Sequence, residues 1–473
     1  MYASIQEIRK ALSSNKMELK SVVEHYLNNI KASKTNAFIE SFDSEALEQA
    51  EIIQEKIQNG SAGKLAGLVI GIKDNICYKN HKATAASKIL NDFESLFDAT
   101  VTERLLAEDA IIIGRLNCDE FAMGSANANS IYGRTANPLD LERVPGGSSG
   151  ASAAAVSEDL CLATLGTDTG GSVRQPAAFC GVIGSKPTYG RISRHGIIAY
   201  GSSFDQVGVF SKTIEDNALI LEVIAGQDHY DATSSPNSVD AYSQNLVLDR
   251  KLKIGVLSEA VNHEAIDSEI TSSIKDAVGQ LKKLGHEVEE ASFPYTDYMV
   301  PAYYVLTTAE ASSNLARYDG VHYGHRSESA IDTESTYVDS RTEGFGTEVK
   351  RRIMTGTFVL SAGYYDAYYG KAQKVRNFLA LKTQELFEKY DILILPTTPE
   401  TPFKFGEKTD DPIKMYLSDI FTVHANLVGT PAISLPLTQH SNGLPIAIQL
   451  MADKFDEKTM LALSKQMMEE ICN

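Results

Sequence analysis

The chain has 473 residues, 43% of them hydrophobic and 8% aromatic, which is ample apolar material for a large core. It carries 44 Lys and Arg against 62 Asp and Glu, a formal net charge of −18. So acidic a chain repels phosphate backbones, which argues against broad nucleic-acid binding by this chain itself.

Residues 4–32 and 44–58 show helical spacing, as in Ile5, Ile8, Leu12 and Val22, Val23, Tyr26, Leu27. They predict a helical N-terminal segment over 1–60, broken by Gly60-Ser61-Ala62-Gly63. LAGLVIGIKDN (65–75) then reads as a short buried strand ending in Lys73-Asp74. A helix at 101–109 followed by a strand at 110–114 suggests α/β organisation.

The stretch 137–210 is rich in glycine and serine, yet it is interleaved with ASAAAV and LCLATLG. Those apolar pieces argue against a disordered linker and predict a buried helix at 150–157 and a buried strand at 160–165. Further on lie a helix at 213–226, a strand at 253–257, an amphipathic helix at 266–285 and an alternating strand at 286–293. A helix at 365–390, a strand at 391–399 and a closing helix at 457–471 complete the pattern. The polar segment 320–348 lacks a period and is expected to be a long surface loop. One domain over 1–473, with 137–210 at its core, fits better than three modules.

No apolar run approaches the roughly 18 residues that span a membrane, and the N-terminus lacks the apolar core of a signal peptide. Five cysteines, odd in number and without a CxxC pair, read as reduced thiols. A cytoplasmic chain with no membrane contact is expected.

The chemistry concentrates in GTDTGGSVR (166–174). Ser172 follows two glycines, a setting for a nucleophile or for a turn. Successive backbone N–H groups from Thr169, Gly170, Gly171 and Ser172 can converge on one point, as an oxyanion hole requires. The proton of Ser172 needs an acceptor, and no histidine lies between 152 and 192. A buried lysine, its pKa lowered, can serve. Lys73 stands where such a lysine would, at the end of an apolar strand, although most lysines are solvated.

Three other readings compete. GGSSG (146–150) satisfies G-x-S-x-G with Ser148 central, but the preceding LERVP is a poor central strand. Asp168-Thr169-Gly170 looks like an aspartic-protease triplet, but that chemistry needs two carboxylates and the triplet occurs once. No phosphate-binding glycine loop of either common spacing is present. Two glycine–serine stretches so close together favour an assembled site over two isolated turns.

The residues Gly146–Gly150, Gly166–Arg174, Gln175-Pro176-Ala177, Cys180-Gly181 and Gly184–Arg191 closely resemble the amidase signature. That resemblance implies an α/β fold, with a large mixed central β-sheet flanked by helices on both faces. It also implies a Ser–cis-Ser–Lys triad. Ser172 matches the nucleophile, Lys73 the base, and Ser148 the bridging serine, whose preceding peptide would be cis. Thr169, Gly170, Gly171 and Ser172 match the oxyanion-hole backbone. The implied reaction is acylation of Ser172 by a carboxamide, loss of ammonia, and hydrolysis of the ester. Ala151 stands where the family commonly has another glycine, and little effect is expected at a helix start.

Asp119–Ser125, Glu310–Gly320, Glu348–Met354 and Tyr364–Tyr369 look like one branch of that family. It is the branch of glutaminase A subunits of glutamyl-tRNA(Gln)/aspartyl-tRNA(Asn) amidotransferases. For this branch the resemblance implies glutamine as substrate. Arg352 would hold its α-carboxylate and Asp419 its α-ammonium, with Tyr303, Gly124 and Ser125 as further contacts. It implies no metal and no cofactor in this chain. ATP and Mg²⁺ would be used by a partner B subunit, which activates the misacylated tRNA, Glu-tRNA(Gln) or Asp-tRNA(Asn). A C subunit completes the heterotrimer.

From the residues alone, Arg352 reads as a surface cation in the triplet Lys350-Arg351-Arg352, and Asp419 as a helix-start carboxylate. The segment Ala126–Asn129 departs from the branch's pattern. A stand-alone amidase for another carboxamide, and a non-catalytic scaffold, are the alternative readings.

Overall fold

Eleven strands among the described residues form one mixed sheet. They are β1 (Phe38–Ser41), β2 (Val69–Lys73), β3 (Ile111–Leu116), β4 (Ala163–Asp168), β5 (Ile183–Lys186) and β6 (Gln206–Ser211). The later ones are β7 (Lys253–Leu257), β8 (Glu287–Ala291), β9 (Ile392–Pro396), β10 (Ala432–Gln439) and β11 (Pro445–Ala452). The structure, a computed structural model, describes residues 2–14, 16–244, 246–408 and 412–472.

The strand order is β1-β3-β2-β4-β6-β5-β10-β11-β9-β7-β8. β3, β2 and β4 run parallel, as do β9, β7 and β8. Parallel neighbours need crossovers, and the helices Thr100–Ala107 and Gly150–Ser157 lie in two of them. Every residue of β2, β3, β4, β6 and β9 is buried. Successive strand side chains point to opposite faces, so helices and loops cover the sheet on both.

The helix Gly150–Ser157 (GASAAAVS) has no apolar stripe because all but its last residue is buried. Its small side chains let it lie close on β4. There Thr164 Oγ1 donates to the Ser152 carbonyl at 2.9 Å, and Ser152 Oγ to the Leu165 carbonyl at 3.3 Å. The alanine at 151 fits this packing, since it is fully buried and its N–H donates to Asn127 Oδ1 at 2.9 Å.

Several expectations shift. The helix over 4–32 is two helices, Ile5–Ser13 and Leu19–Ala32, the first capped by Ser4. The strand expected at 160–165 is β4, three residues later, so Asp168 ends it. The expected surface loop at 320–348 is corrected. It holds the helix Thr333–Gly344, with a capping box from Asp332 and Ser335, and the start of the helix Thr347–Leu360. Thr333–Gly344 buries only Thr336, Ser340 and Gly344, so it leaves no hydrophobic period to read. Among the described residues no helix is long and apolar enough to cross a membrane. All five cysteines are free thiols, four of them buried.

Candidate active site

β2 carries Lys73 into the interior, where it is 0% exposed. Its Nζ donates to Ser148 Oγ at 2.7 Å, Ser149 Oγ at 2.9 Å and Thr167 Oγ1 at 3.0 Å. Burial pushes the Lys73 ammonium down to about 8, while the carboxylates of Asp119, Asp205 and Asp168 pull the other way. A lysine so placed has a neutral fraction near physiological pH and can take a proton.

The Gly147–Ser148 peptide is cis. Around it, Gly147 N–H donates to Gln175 Oε1 at 2.8 Å, and Asp119 N–H to the Ser148 carbonyl at 3.2 Å. Ser149 N–H donates to the Ser172 carbonyl at 3.2 Å, which ties the loop carrying Ser172 to the residue beside Ser148. The Ser172 hydroxyl makes no hydrogen bond among the described residues. Ser172 is also 8% exposed, where Ser148 and Ser149 are 0%. The Lys73–Ser148 link is therefore closed and the Ser148–Ser172 link open. A turn about χ1 alone redirects the Ser172 hydroxyl.

Asp168 organises the loop between β4 and the helix Arg174–Cys180. Its carboxylate receives Arg174 Nη2 at 2.9 Å, Arg174 Nε at 3.1 Å and Asn426 Nδ2 at 2.9 Å. It also receives the N–H groups of Gly171 at 2.9 Å and Val173 at 3.1 Å. Burial alone would raise its carboxyl, but the Arg174 guanidinium holds it at about 2. Of the four N–H groups expected to form an oxyanion hole, that of Gly171 is thus engaged by Asp168. The N–H groups of Thr169, Gly170 and Ser172 donate to no protein atom among the described residues, as the N–H groups of an oxyanion hole would before substrate binds. Gly171 has φ +129°, and a Cβ there would run into the Thr422 side chain.

Of the expected substrate residues, Gly124, Ser125 and Arg352 help to line one cavity of about 210 Å³, together with Glu348 and Tyr416, while Asp419 joins it through Ser125 and Tyr303 is not among its lining residues. Asp419 Oδ2 accepts from Ser125 Oγ at 2.9 Å and from Tyr304 OH at 3.1 Å. Burial pushes its carboxyl up to about 7, against those two hydroxyls and the charge of Arg352. Arg352 is no surface cation, being 4% exposed. Its Nε donates to Glu348 Oε1 at 2.9 Å and its Nη1 to Tyr200 OH at 2.7 Å. The guanidinium lies 5.4–5.6 Å from the rings of Tyr200, Tyr304 and Tyr416. With Nε and Nη1 engaged, Nη2 is the nitrogen left without a protein partner among the described residues.

Tyr303 is buried against the loop carrying Ser172, and a Cβ at Gly170 would strike its ring and hydroxyl. The variant segment acts through its backbone and one side chain: the N–H groups of Asn127, Ala128 and Asn129 all donate to the Asp119 carboxylate, and Asn127 Oδ1 accepts from Ala151 N–H. No local pattern in the sequence links Tyr200, Tyr304 and Tyr416 to Arg352. For Glu348 one signal was available, its i,i+4 spacing with Arg352 on a helix. Among the described residues no group of three or more His, Cys, Asp or Glu side chains could hold a metal ion.

The family model described as Amidase matches residues 21–461. A protein named as the A subunit of glutamyl-tRNA(Gln) amidotransferase from Prosthecochloris aestuarii is 50% identical over 468 residues, covering 98% of each chain. One of the same name from Chlorobaculum parvum is 50% identical over 466 residues, covering 98% of this chain and 97% of its own. The crystal structure of the glutamyl-tRNA(Gln) amidotransferase A subunit from Thermotoga maritima superposes with a TM-score of 0.80. It is 38% identical, with 98% of this chain and 94% of that one covered.

Proposed function

The chain belongs to the amidase family, and on that footing we propose that it is the glutamine-hydrolysing subunit of a tRNA-dependent amidotransferase. The observation that carries the glutamine reading is the placing of Arg352 and Asp419. Tyr304 stands between them, its hydroxyl on Asp419 and its ring beside the guanidinium. A free α-amino acid bears a carboxylate and an ammonium on one carbon. A simple carboxamide has use for neither partner.

In this reading the glutamine α-carboxylate takes Arg352 Nη2, and the α-ammonium takes Asp419 with Ser125 and Gly124 alongside. The side-chain carboxamide reaches Ser172. Ser172 Oγ attacks its carbon as the Ser172 proton passes to Ser148 and the Ser148 proton to neutral Lys73. The C=O π electrons move to oxygen, where the free N–H groups of the 169–172 loop meet them. The relay runs back to protonate the departing nitrogen, and ammonia leaves. Water then attacks the ester, with Lys73 again accepting a proton through Ser148, and glutamate is released. The ammonia is delivered to a B subunit, which uses ATP and Mg²⁺ to activate Glu-tRNA(Gln) or Asp-tRNA(Asn). A C subunit completes the assembly, and the acidic charge of this chain accords with a tRNA gripped mainly elsewhere.

The test is ammonia release from L-glutamine by the chain with its copurifying partners, beside Ser172→Ala. Release that vanishes in the variant is expected. A folded wild-type complex that spares glutamine and turns over another amide would overturn the reading.

A further inference from the structure

We propose that Glu120 is a positioning residue that locks the loop carrying Gly124 and Ser125 to the helix carrying Arg352. The inference rests on the glutamine reading above, since it concerns the grip on the α-carboxylate and α-ammonium.

Three segments meet at this carboxylate. Glu120 lies four residues before Gly124 and is 3% exposed. Its Oε2 and Oε1 accept from the Gly346 N–H at 2.9 and 3.1 Å. Gly346 is the N-cap of the helix Thr347–Leu360, and this cap has no side chain of its own to offer. The Ser87 hydroxyl donates to the same carboxylate and lies 3.2 Å from the Gly344 carbonyl. The next residue, Phe121, packs edge-on against Phe345 at 5.6 Å. The two segments are thus joined by polar and apolar contacts side by side.

What the joint aligns is functional. The helix presents Glu348 and Arg352 within its first two turns, and its N-terminus favours a negative charge. The loop presents Ser125, which donates to Asp419. The distance between the Arg352 and Asp419 grips depends on how the helix sits against the loop, and Glu120 bonds across that joint. Arg352 is held sideways by Glu348 and Tyr200, but those contacts do not fix the helix to the loop.

Gly346 provides an independent handle. Its backbone is ordinary, φ −71°, so alanine is conformationally acceptable there. An added Cβ would nevertheless collide with Glu120 Oε2 and displace the carboxylate.

The experiment is steady-state glutamine hydrolysis by the purified complex carrying Glu120→Ala, Glu120→Gln, Gly346→Ala or Glu120→Ala with Gly346→Ala. Glu120→Ala is expected to raise KM for glutamine about tenfold while kcat stays within about twofold. Glu120→Gln is expected to restore KM, because its amide oxygen can accept from Gly346 N–H and its amide N–H can donate to Ser87. Gly346→Ala is expected to raise KM alone and to add little on top of Glu120→Ala. Unchanged KM in Glu120→Ala, equal losses in KM and kcat without rescue by Gln, or additive effects of the two alanines would each overturn the proposal. Where Glu120→Ala does not fold, Gly346→Ala against wild type and Glu120→Gln carries the same test. Wild-type complex without glutamine turnover would overturn the glutamine reading, and this proposal with it. Wild-type turnover with KM untouched in the variants would overturn this proposal alone.

Discussion

Lys73 and Ser148 share a 2.7 Å hydrogen bond in a place where both are 0% exposed. The base of the proposed relay is thus kept in a desolvated pocket that disfavours its charge. With its ammonium pushed down to about 8, Lys73 gains neutral form as pH rises through that value. The rate of acylation is expected to climb about tenfold per pH unit below 8 and to level off above it. A pH–rate profile of glutamine hydrolysis checks this, and a profile flat from pH 6 to 9 would remove Lys73 from the role. The same shift has a stability sign. Between about 8 and 10.5 the unfolded chain binds the lysine proton and the folded chain does not, so stability rises with pH across that window.

The two serines are expected to separate activity from stability. Ser172 has no hydroxyl hydrogen bond to lose, so Ser172→Ala should cut kcat by about 10³ or more and move Tm by no more than about 2 °C. Ser148→Ala deprives the Lys73 nitrogen of one of its three hydroxyls and should cost about 1 kcal/mol of stability as well as activity. Thermal melts and single-turnover assays of both variants read the difference.

Asp419 ties substrate affinity to pH. Its carboxyl, pushed up to about 7 by burial, is charged only above that value. An α-ammonium binds the charged form better, so KM for glutamine is expected to fall as pH rises through 7. Asp419→Asn should raise KM about tenfold or more and abolish that dependence. A KM of Asp419→Asn that still tracks pH 7 would point to another group.

Asp168 and Arg174 form a fully buried pair beneath the loop that carries Ser172. Asp168→Asn leaves Arg174 uncompensated and is expected to destabilise the fold by about 3–5 kcal/mol. The acid limb follows from the lowered carboxyl of about 2. The contribution of Asp168 is present above the ordinary aspartate value and is lost as pH falls from there through about 2. Denaturant titrations of wild type and variant at pH 3 and pH 7 should show the gap between them narrowing at the lower pH.

Local patterns were legible where local forces decide. The helix Gly150–Ser157 and the strand Lys253–Leu257 were read residue for residue, because an apolar run between turn residues is its own signal. The Lys73–Ser148 contact was reachable only through resemblance, since 75 residues separate the pair in the chain. Other features had no local trace. The Gly171 N–H is lost to Asp168 through a turn whose geometry glycine permits but does not announce. The three tyrosines around Arg352 come from residues 200, 304 and 416, and no period links them. The helix Thr333–Gly344 is polar on nearly every side, and its Asp332–Ser335 cap lacks the Ser/Thr-x-x-Glu/Gln pattern that announces a helix start.

The strand order has a consequence for the chain as it is made. β10 and β11, the last two of the described strands in chain order, sit in the middle of the sheet, β10 against β5 and β11 against β9. Of the described strands, the ribosome delivers this keystone pair after the other nine. Until residues 432–452 emerge, β5 and β9 are open edges of two half-sheets, with unpaired backbone facing outward. Over that span of synthesis both edges are open to pairing with other chains, and the two half-sheets become one only when β10 and β11 have formed.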